Sequence, residues 1–383
     1  MVIGIIGGGA SGMAAALAAA EKPDNTVVLF ERQARVAKKL LATGNGRCNL
    51  SNLKVNIDHY HGEAPEFAAH VLNVYNVKDT LSWFAHMGLL TVAEESGRVY
   101  PYSDQANSVV DVLRFGLDRP NITLKLGFEV YKVKKTDGGF IVESKNESVP
   151  CDCLIVACGG LAGTQLGGSM SGYQLLRSMG HRMTKLRPSL VQIKTEENVS
   201  ALKGVRANCK ARILKDGVIF AESTGEIQFT DYGISGPVVF EISRDVCAEK
   251  GEWICQLDFL PDIPAALLRR MMLHSGEEML TGILHNRLGK VLAKAGGYDK
   301  DQVCALAKCY ELKLSEPMGM EKAQVTAGGI VTDEFDPKTM ESKLVPGLYA
   351  CGEVLDIDGD CGGFNLQWAW SSGRCAGYHA RRA

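Results

Sequence analysis

The stretch that most restricts the fold is the first one, "MVIGIIGGGASGMAAALAAAEKPDNTVVLFER". An apolar run, Val2 to Ile6, leads into G-x-G-x-x-G at Gly7, Gly9 and Gly12, an Ala-rich helical segment follows, and a second apolar run ends in Glu31. Each part has a physical task in a dinucleotide-binding β-α-β unit. Gly7 allows the tight turn, Gly9 lets a pyrophosphate approach the backbone, and Gly12 with Ala16 lets the helix lie close on the sheet. The helix N-terminus presents unpaired N–H groups to phosphate. Glu31, nineteen residues beyond Gly12, is placed to accept hydrogen bonds from an adenosine ribose. FAD and NAD share the adenosine diphosphate half that such a unit reads, so the fingerprint by itself leaves the cofactor open.

A chain of 383 residues exceeds what one core organises and points to more than one domain. A formal charge of −2 gives no electrostatic reason to expect a nucleic-acid partner. No apolar run is long enough for a membrane span, and the N-terminus reads as a strand rather than a signal segment, so no membrane partner and a cytoplasmic location are expected.

Twelve cysteines in a long chain without an export signal are expected as reduced thiols. Cys304 and Cys309 have a spacing found in disulfide reductases, but on a helix they point roughly 140° apart. Cys151 and Cys153 share a strand face, where zinc would need two further ligands. Neither pair is taken as a redox or metal site, and no metal is expected. His274 and His285 read as surface or cap packing rather than metal ligands, and Met271, Met272 and Met279 as helix packing.

The segment "RVAKKLLATGNGRCNLSN" reads as a short basic helix entering a glycine-rich loop, with Lys38, Lys39 and Arg47 supplying positive charge. A hairpin is expected around Gly138-Gly139. Two further apolar strands end in glycine, at Gly159-Gly160 and at Gly352, just before Glu353. Glycine-marked strand ends are where an open α/β sheet admits ligands.

This arrangement resembles the two-dinucleotide-fold flavoproteins of the glutathione-reductase type. The resemblance implies that Glu353 accepts a ribityl hydroxyl, and that Gly363, Phe364 and Asn365 start a helix beneath flavin N1 and O2. A helix N-terminus there would stabilise the anionic reduced flavin by roughly 0.3–1 kcal/mol. A narrower likeness lies in "KKLLATGNGRCNLSN", "GRVYPYSDQANSVVDVL", "GEIQFTDYGISGP" and "VTAGGIVTDEFDPKTMESKLVPGLYACGEVLDIDGDCGGFNLQWAWSSG". These are similar to the bacterial FAD-binding family that includes bile-acid-inducible Δ4,6-reductase-like and aminoacetone-oxidase-like members. Asn45 and Asp231 depart from its pattern, the latter standing where histidine is expected. The family likeness implies FAD contacts from Ser11, Lys39, Arg47, Cys48 and Asn49, and from the backbone of Val130 against adenine. Cys48 is expected as a small lining side chain rather than a redox thiol, and of Trp368 and Trp370 one is expected at the flavin and the other in the core.

The expected fold is α/β: a glutathione-reductase-type, Rossmann-like FAD domain (1–187 and 318–383), interrupted by a β-barrel-like insert (188–262) and a helical cap (263–317). The expected function is an FAD-dependent oxidoreductase passing hydride through flavin N5 to or from a small-molecule substrate. NAD(P)H is a transient co-substrate in that reading, with reduction of an unsaturated ketone as its form. A flavin-binding redox sensor or scaffold, an oxygen-dependent amino-ketone oxidase and an RNA-modifying flavoenzyme stand as alternatives. No catalytic side chain is assigned from the sequence.

Overall fold

The computed structural model describes residues 1–381, which divide into two compact units, 1–186 with 325–381 and 187–324. In the first, five strands form a sheet in the order Leu348–Ala350, Cys153–Val156, Val2–Ile6, Thr26–Glu31, Ile122–Leu126. Every neighbouring pair is parallel. Parallel strands are covered on both faces, which explains their unbroken apolar runs: Ile3, Ile5, Leu154, Ile155 and Tyr349 are fully buried. The first and last strands of the chain flank Cys153–Val156 on its two sides in this sheet.

The opening helix, Ala10–Ala19, and the closing helix, Phe364–His379, pack through small residues. A Cβ at Gly373 would stand 2.3 Å from the Ser11 carbonyl oxygen, and one at Gly377 would stand 2.2 Å from that of Ala15. Only glycine permits this approach. A three-stranded antiparallel sheet, Lys132–Thr136, Gly139–Glu143 and Ser148–Cys151, contains the expected hairpin.

The second unit holds a closed barrel of Ile193–Thr195, Gly233–Ser235, Val218–Phe229, Arg206–Lys215, Trp253–Asp258 and Tyr310–Pro317. The expected boundaries are corrected here. Tyr310–Pro317, assigned to the helical cap, is a barrel strand whose alternation buries Leu312 and Leu314. The helices Ala265–Met271, Asn286–Ala295 and Lys300–Lys308 share one apolar core with the barrel, through Leu268, Leu288, Leu292 and Val303 against Ile213, Ile227 and Leu257. The helix expected after Gly236-Pro237 runs from Pro237 to Ala248, with the proline in its first turn, where a missing N–H costs little. Among the described residues no helix is long and apolar enough to cross a membrane.

Candidate functional site

The glycine loop turns as its sequence requires. Gly7 has φ +111° and donates its N–H to Phe30 O at 2.8 Å, while a Cβ there would meet the Ala157 carbonyl oxygen at 2.4 Å. A Cβ at Gly12 would strike the Gly7 carbonyl at 1.8 Å. Gly9 is the N-cap of the opening helix; no side chain caps that helix, and a Cβ at Gly9 would meet nothing within 4 Å. The helix tip therefore faces open space with its first donors uncapped by side chains, the condition for receiving an anion. Glu31 accepts from Gly8 N–H and Gln33 N–H, each at 2.8 Å, so its carboxylate braces the loop. Beside it lies a cavity of about 270 Å³ lined by Arg32, Gln33, Lys38, Glu129, Thr164 and Gly167. Val130 follows Glu129 and is itself buried.

The second cluster joins residues from opposite ends of the chain. Lys39 Nζ meets Glu353 Oε2 at 2.9 Å, and Glu353 Oε1 accepts the Thr326 N–H at 2.8 Å. Gly352 has φ +76°, and a Cβ there would lie 2.5 Å from Ser11 Oγ. A Cβ at Gly160 would lie 2.4 Å from Glu353 Oε1. The first, fourth and fifth strands of the chain-order sheet thus end at one place: Gly7–Ser11, Gly160, and Gly352 with Glu353.

The third cluster surrounds the tip of the closing helix. Gly363, at φ +101°, is its N-cap, again without a side-chain cap. A Cβ at Gly363 would come within 2.4 Å of Ser51 O and 2.9 Å of Asn49 Oδ1. Asn49 Oδ1 is buried and has no hydrogen-bond partner among the described residues. A buried, unpaired acceptor beside an uncapped helix start suits a ligand that brings both a donor and an acceptor, as the pyrimidine edge of a flavin does. Asn365 ties the approach to the helix, with Oδ1 accepting from Gly359 N–H at 2.9 Å and Nδ2 donating to Gly359 O at 2.6 Å.

Of the other residues expected at FAD, Arg47 has protein partners and Cys48 is enclosed. Arg47 is half-buried, forms ion pairs with Glu94 and Asp104, and stacks its guanidinium 4.0 Å from the Tyr100 ring centre. Cys48 is fully buried at φ +62°, and burial pushes its thiol up to about 12 against a smaller opposing effect of Thr43. A thiol so placed is a poor nucleophile at neutral pH. Both tryptophans are buried: Trp368 Nε1 donates to Gly352 O at 3.2 Å and Trp370 Nε1 to Leu50 O at 3.0 Å.

The sequence did not single out a trio next to the closing helix. His59 Nδ1 lies 2.9 Å from Asp360 Oδ2, and His61 Nε2 lies 2.6 Å from Asp360 Oδ1. The His59 ring stacks on Phe364 at 4.3 Å between centres. Burial alone would raise the Asp360 carboxyl, but hydrogen bonds from His61 and His59 outweigh it and hold the group below the usual range. The only sequence signal was the close spacing of the two histidines in "HYHG"; in the structure His59 ends the 3-10 turn Ile57–His59 and His61 lies in the short strand Tyr60–His61.

Residues 1–379 match the profile of the HI0933-like protein Rossmann domain. The chain is 41% identical to a 3-dehydro-bile acid delta(4,6)-reductase of Clostridium scindens, over 98% of each protein. It is 30% identical to a ribosomal RNA dihydrouridine synthase of Escherichia coli, over 96% of this chain and 95% of that one. A similar match, 31% over 96% and 95%, is to the ribosomal RNA dihydrouridine synthase of Haemophilus influenzae. Among solved structures, the open conformation of a flavocytochrome c3 fumarate reductase superposes with a TM-score of 0.54 at 17% identity, over 99% of this chain and 77% of that one. That likeness concerns the fold.

Proposed function

Because the chain belongs to the HI0933-like Rossmann-domain family and is an FAD-dependent oxidoreductase, we propose that it reduces a carbon–carbon double bond conjugated to a carbonyl in a small polycyclic ketone. The observation that carries the reading is the 41% identity, along the whole chain, to a protein named for reducing such a bond in a 3-keto bile acid. The two dihydrouridine synthases fit the same chemistry, since uracil's 5,6 double bond is conjugated to its C4 carbonyl. Uridine in ribosomal RNA is therefore the second reading. The formal charge of −2 favours the small molecule, because RNA phosphates reward concentrated Lys and Arg.

FAD, when bound, supplies a two-electron hydride donor at N5. In this reading the uncapped start of the opening helix, with Gly9, Ser11 and Gly12, receives the pyrophosphate, and Glu31 and the Val130 backbone hold the adenosine. Glu353 and Lys39 bind the ribityl chain, with Gly352 allowing it to come close. Asn49 and the Gly363–Phe364–Asn365 turn take the pyrimidine edge, where the helix start favours negative charge on the reduced ring. Cys48 walls the site without titrating. Arg47, paired on the surface, binds a phosphate only after leaving Asp104 and Glu94.

The experiment is anaerobic. The purified protein is expected to be yellow, to bleach with NADH or NADPH, and to recover its colour when 3-oxo-chola-4,6-dien-24-oic acid is added. Recovery with unmodified ribosomal RNA instead would establish the second reading. A protein that neither carries nor takes up FAD would overturn both.

A further inference from the structure

The reduction proposed above needs a proton as well as a hydride, and the structure offers few groups to give it. Cys48 is buried and its thiol is raised by that burial. The Tyr60 and Tyr173 phenols are buried and pushed upward by it. His181 is enclosed, with Nδ1 on Glu334 at 2.9 Å and Nε2 on Ser342 at 3.0 Å. Lys39 is paired with Glu353.

His59 differs from all of these. Its side chain is 31% exposed, its ring is fixed face-on against Phe364, and Nδ1 is committed to Asp360. Phe364 is the first residue of the closing helix, so the ring rests against the segment given above to the flavin. An ionised Asp360 only accepts hydrogen bonds, so His59 donates through Nδ1–H, and Nε2 is the nitrogen left to exchange a proton with a ligand. His61 uses Nε2 on the same carboxylate, which leaves its Nδ1, beside its own backbone, in the less accessible position. The titratable and charged groups around the trio are the two imidazoles, the Tyr60 phenol, Asp58 on the turn before His59, and Arg98, whose Nε lies 3.5 Å from the Cβ position of Gly362.

We propose that His59 is the proton donor of the reaction, acting through Nε2, with Asp360 as its positioning residue and His61 as a second claimant on that carboxylate. The inference rests on the reading of the preceding subsection. The balance is complete. The substrate's β carbon gains a hydride from the reduced flavin, and the π pair of the double bond moves to the α carbon. That carbon takes the proton from imidazolium His59, whose N–H bond pair returns to the ring. The double bond is reduced, the flavin is oxidised, a reduced nicotinamide restores it, and water reprotonates His59 at its exposed edge.

The test uses the FAD-loaded protein with histidine labelled in nitrogen-15. The His59 resonance is assigned by its loss in His59→Gln. In Asp360→Asn the nitrogen-15 shifts of His59 are expected to lose the signature of the Nδ1–H tautomer that the carboxylate fixes, and flavin reoxidation by 3-oxo-chola-4,6-dien-24-oic acid is expected to slow while FAD binding and reduction by nicotinamide are kept. His59→Ala is expected to keep FAD binding and reduction by nicotinamide, to slow reoxidation by roughly 10²-fold or more, and to recover with added imidazole. Unchanged His59 nitrogen-15 shifts in Asp360→Asn, or unslowed reoxidation in His59→Ala, overturn the assignment. A protein without FAD overturns the function itself, and the nitrogen-15 shifts still report whether Asp360 holds the His59 tautomer.

Discussion

Lys39 and Glu353 stand 314 positions apart in the sequence, and their side chains meet at 2.9 Å. The contact joins the short helix Lys38–Ala42, which follows the second strand, to the end of the last strand. Glu353 has a second tie to the Thr326 N–H, so its carboxylate is oriented before any ligand arrives. Replacing Glu353 by Gln removes the charge and keeps the shape. Because the pair is partly open, with side chains 32% and 20% exposed, folding stability should change little. FAD affinity, measured by titrating the flavin-free protein and following flavin fluorescence, should weaken about tenfold, the usual scale for one charged hydrogen bond.

The glycines that join the first and last helices give a stability prediction. Gly373→Ala places a methyl 2.3 Å from the Ser11 carbonyl, and backbone cannot swing aside as a side-chain tip can. A loss of about 1–3 kcal/mol is expected, read as a lower melting temperature in calorimetry. Gly319→Ala, where a Cβ meets nothing within 4 Å, should leave the melting temperature nearly unchanged.

Thiol labelling separates lining from reactivity. Cys309 is exposed, whereas Cys48 is fully buried with a thiol pushed up to about 12. Iodoacetamide at pH 8 should modify Cys309 in the native protein and reach Cys48 only on unfolding, as mass spectrometry of peptides would show. Rapid native labelling of Cys48 would contradict the packing described.

His181 supplies a pH dependence with a definite sign. Burial lowers its pKa from the ordinary 6.5, more than hydrogen bonding and charge from Glu334 raise it. Between the lowered folded value and the ordinary unfolded one, the unfolded chain binds the extra proton, so stability rises with pH. The contribution is present above about 6.5 and is lost as pH falls through that window. Melting temperatures from pH 7.5 to 5 should fall, and His181→Gln should flatten the fall.

Legibility in the sequence followed chain distance. The β-α-β unit was readable because Gly7, Gly9, Gly12 and Glu31 lie within one local pattern with a known steric purpose for each residue. The strand ends at Gly160 and Gly352 were readable for the same reason. The barrel's last strand was missed because "YELKLSEP" follows helical segments directly, and its partners, Trp253–Leu257 and Ile193–Thr195, lie far upstream. Asp360 meets His59 across 301 positions, and no local spacing carries that information. Arg47 shows the complementary difficulty: the charge was evident, but its capture by Glu94 and Asp104 depends on how three short strands fold together.

The register of the first and last helices fixes a length. Ser11 faces Gly373 and Ala15 faces Gly377, so the helices run in the same direction. The closing helix begins nine residues before its contact glycine and the opening helix one residue before Ser11. The difference of eight residues carries one tip roughly 12 Å beyond the other, at 1.5 Å per residue. Two anion-favouring tips held at that separation make the scaffold a gauge. On the proposed reading, a flavin mononucleotide, lacking the adenylate half, would reach one tip and leave the other to solvent, so the fold would tell flavins apart by span before any side chain reads their chemistry.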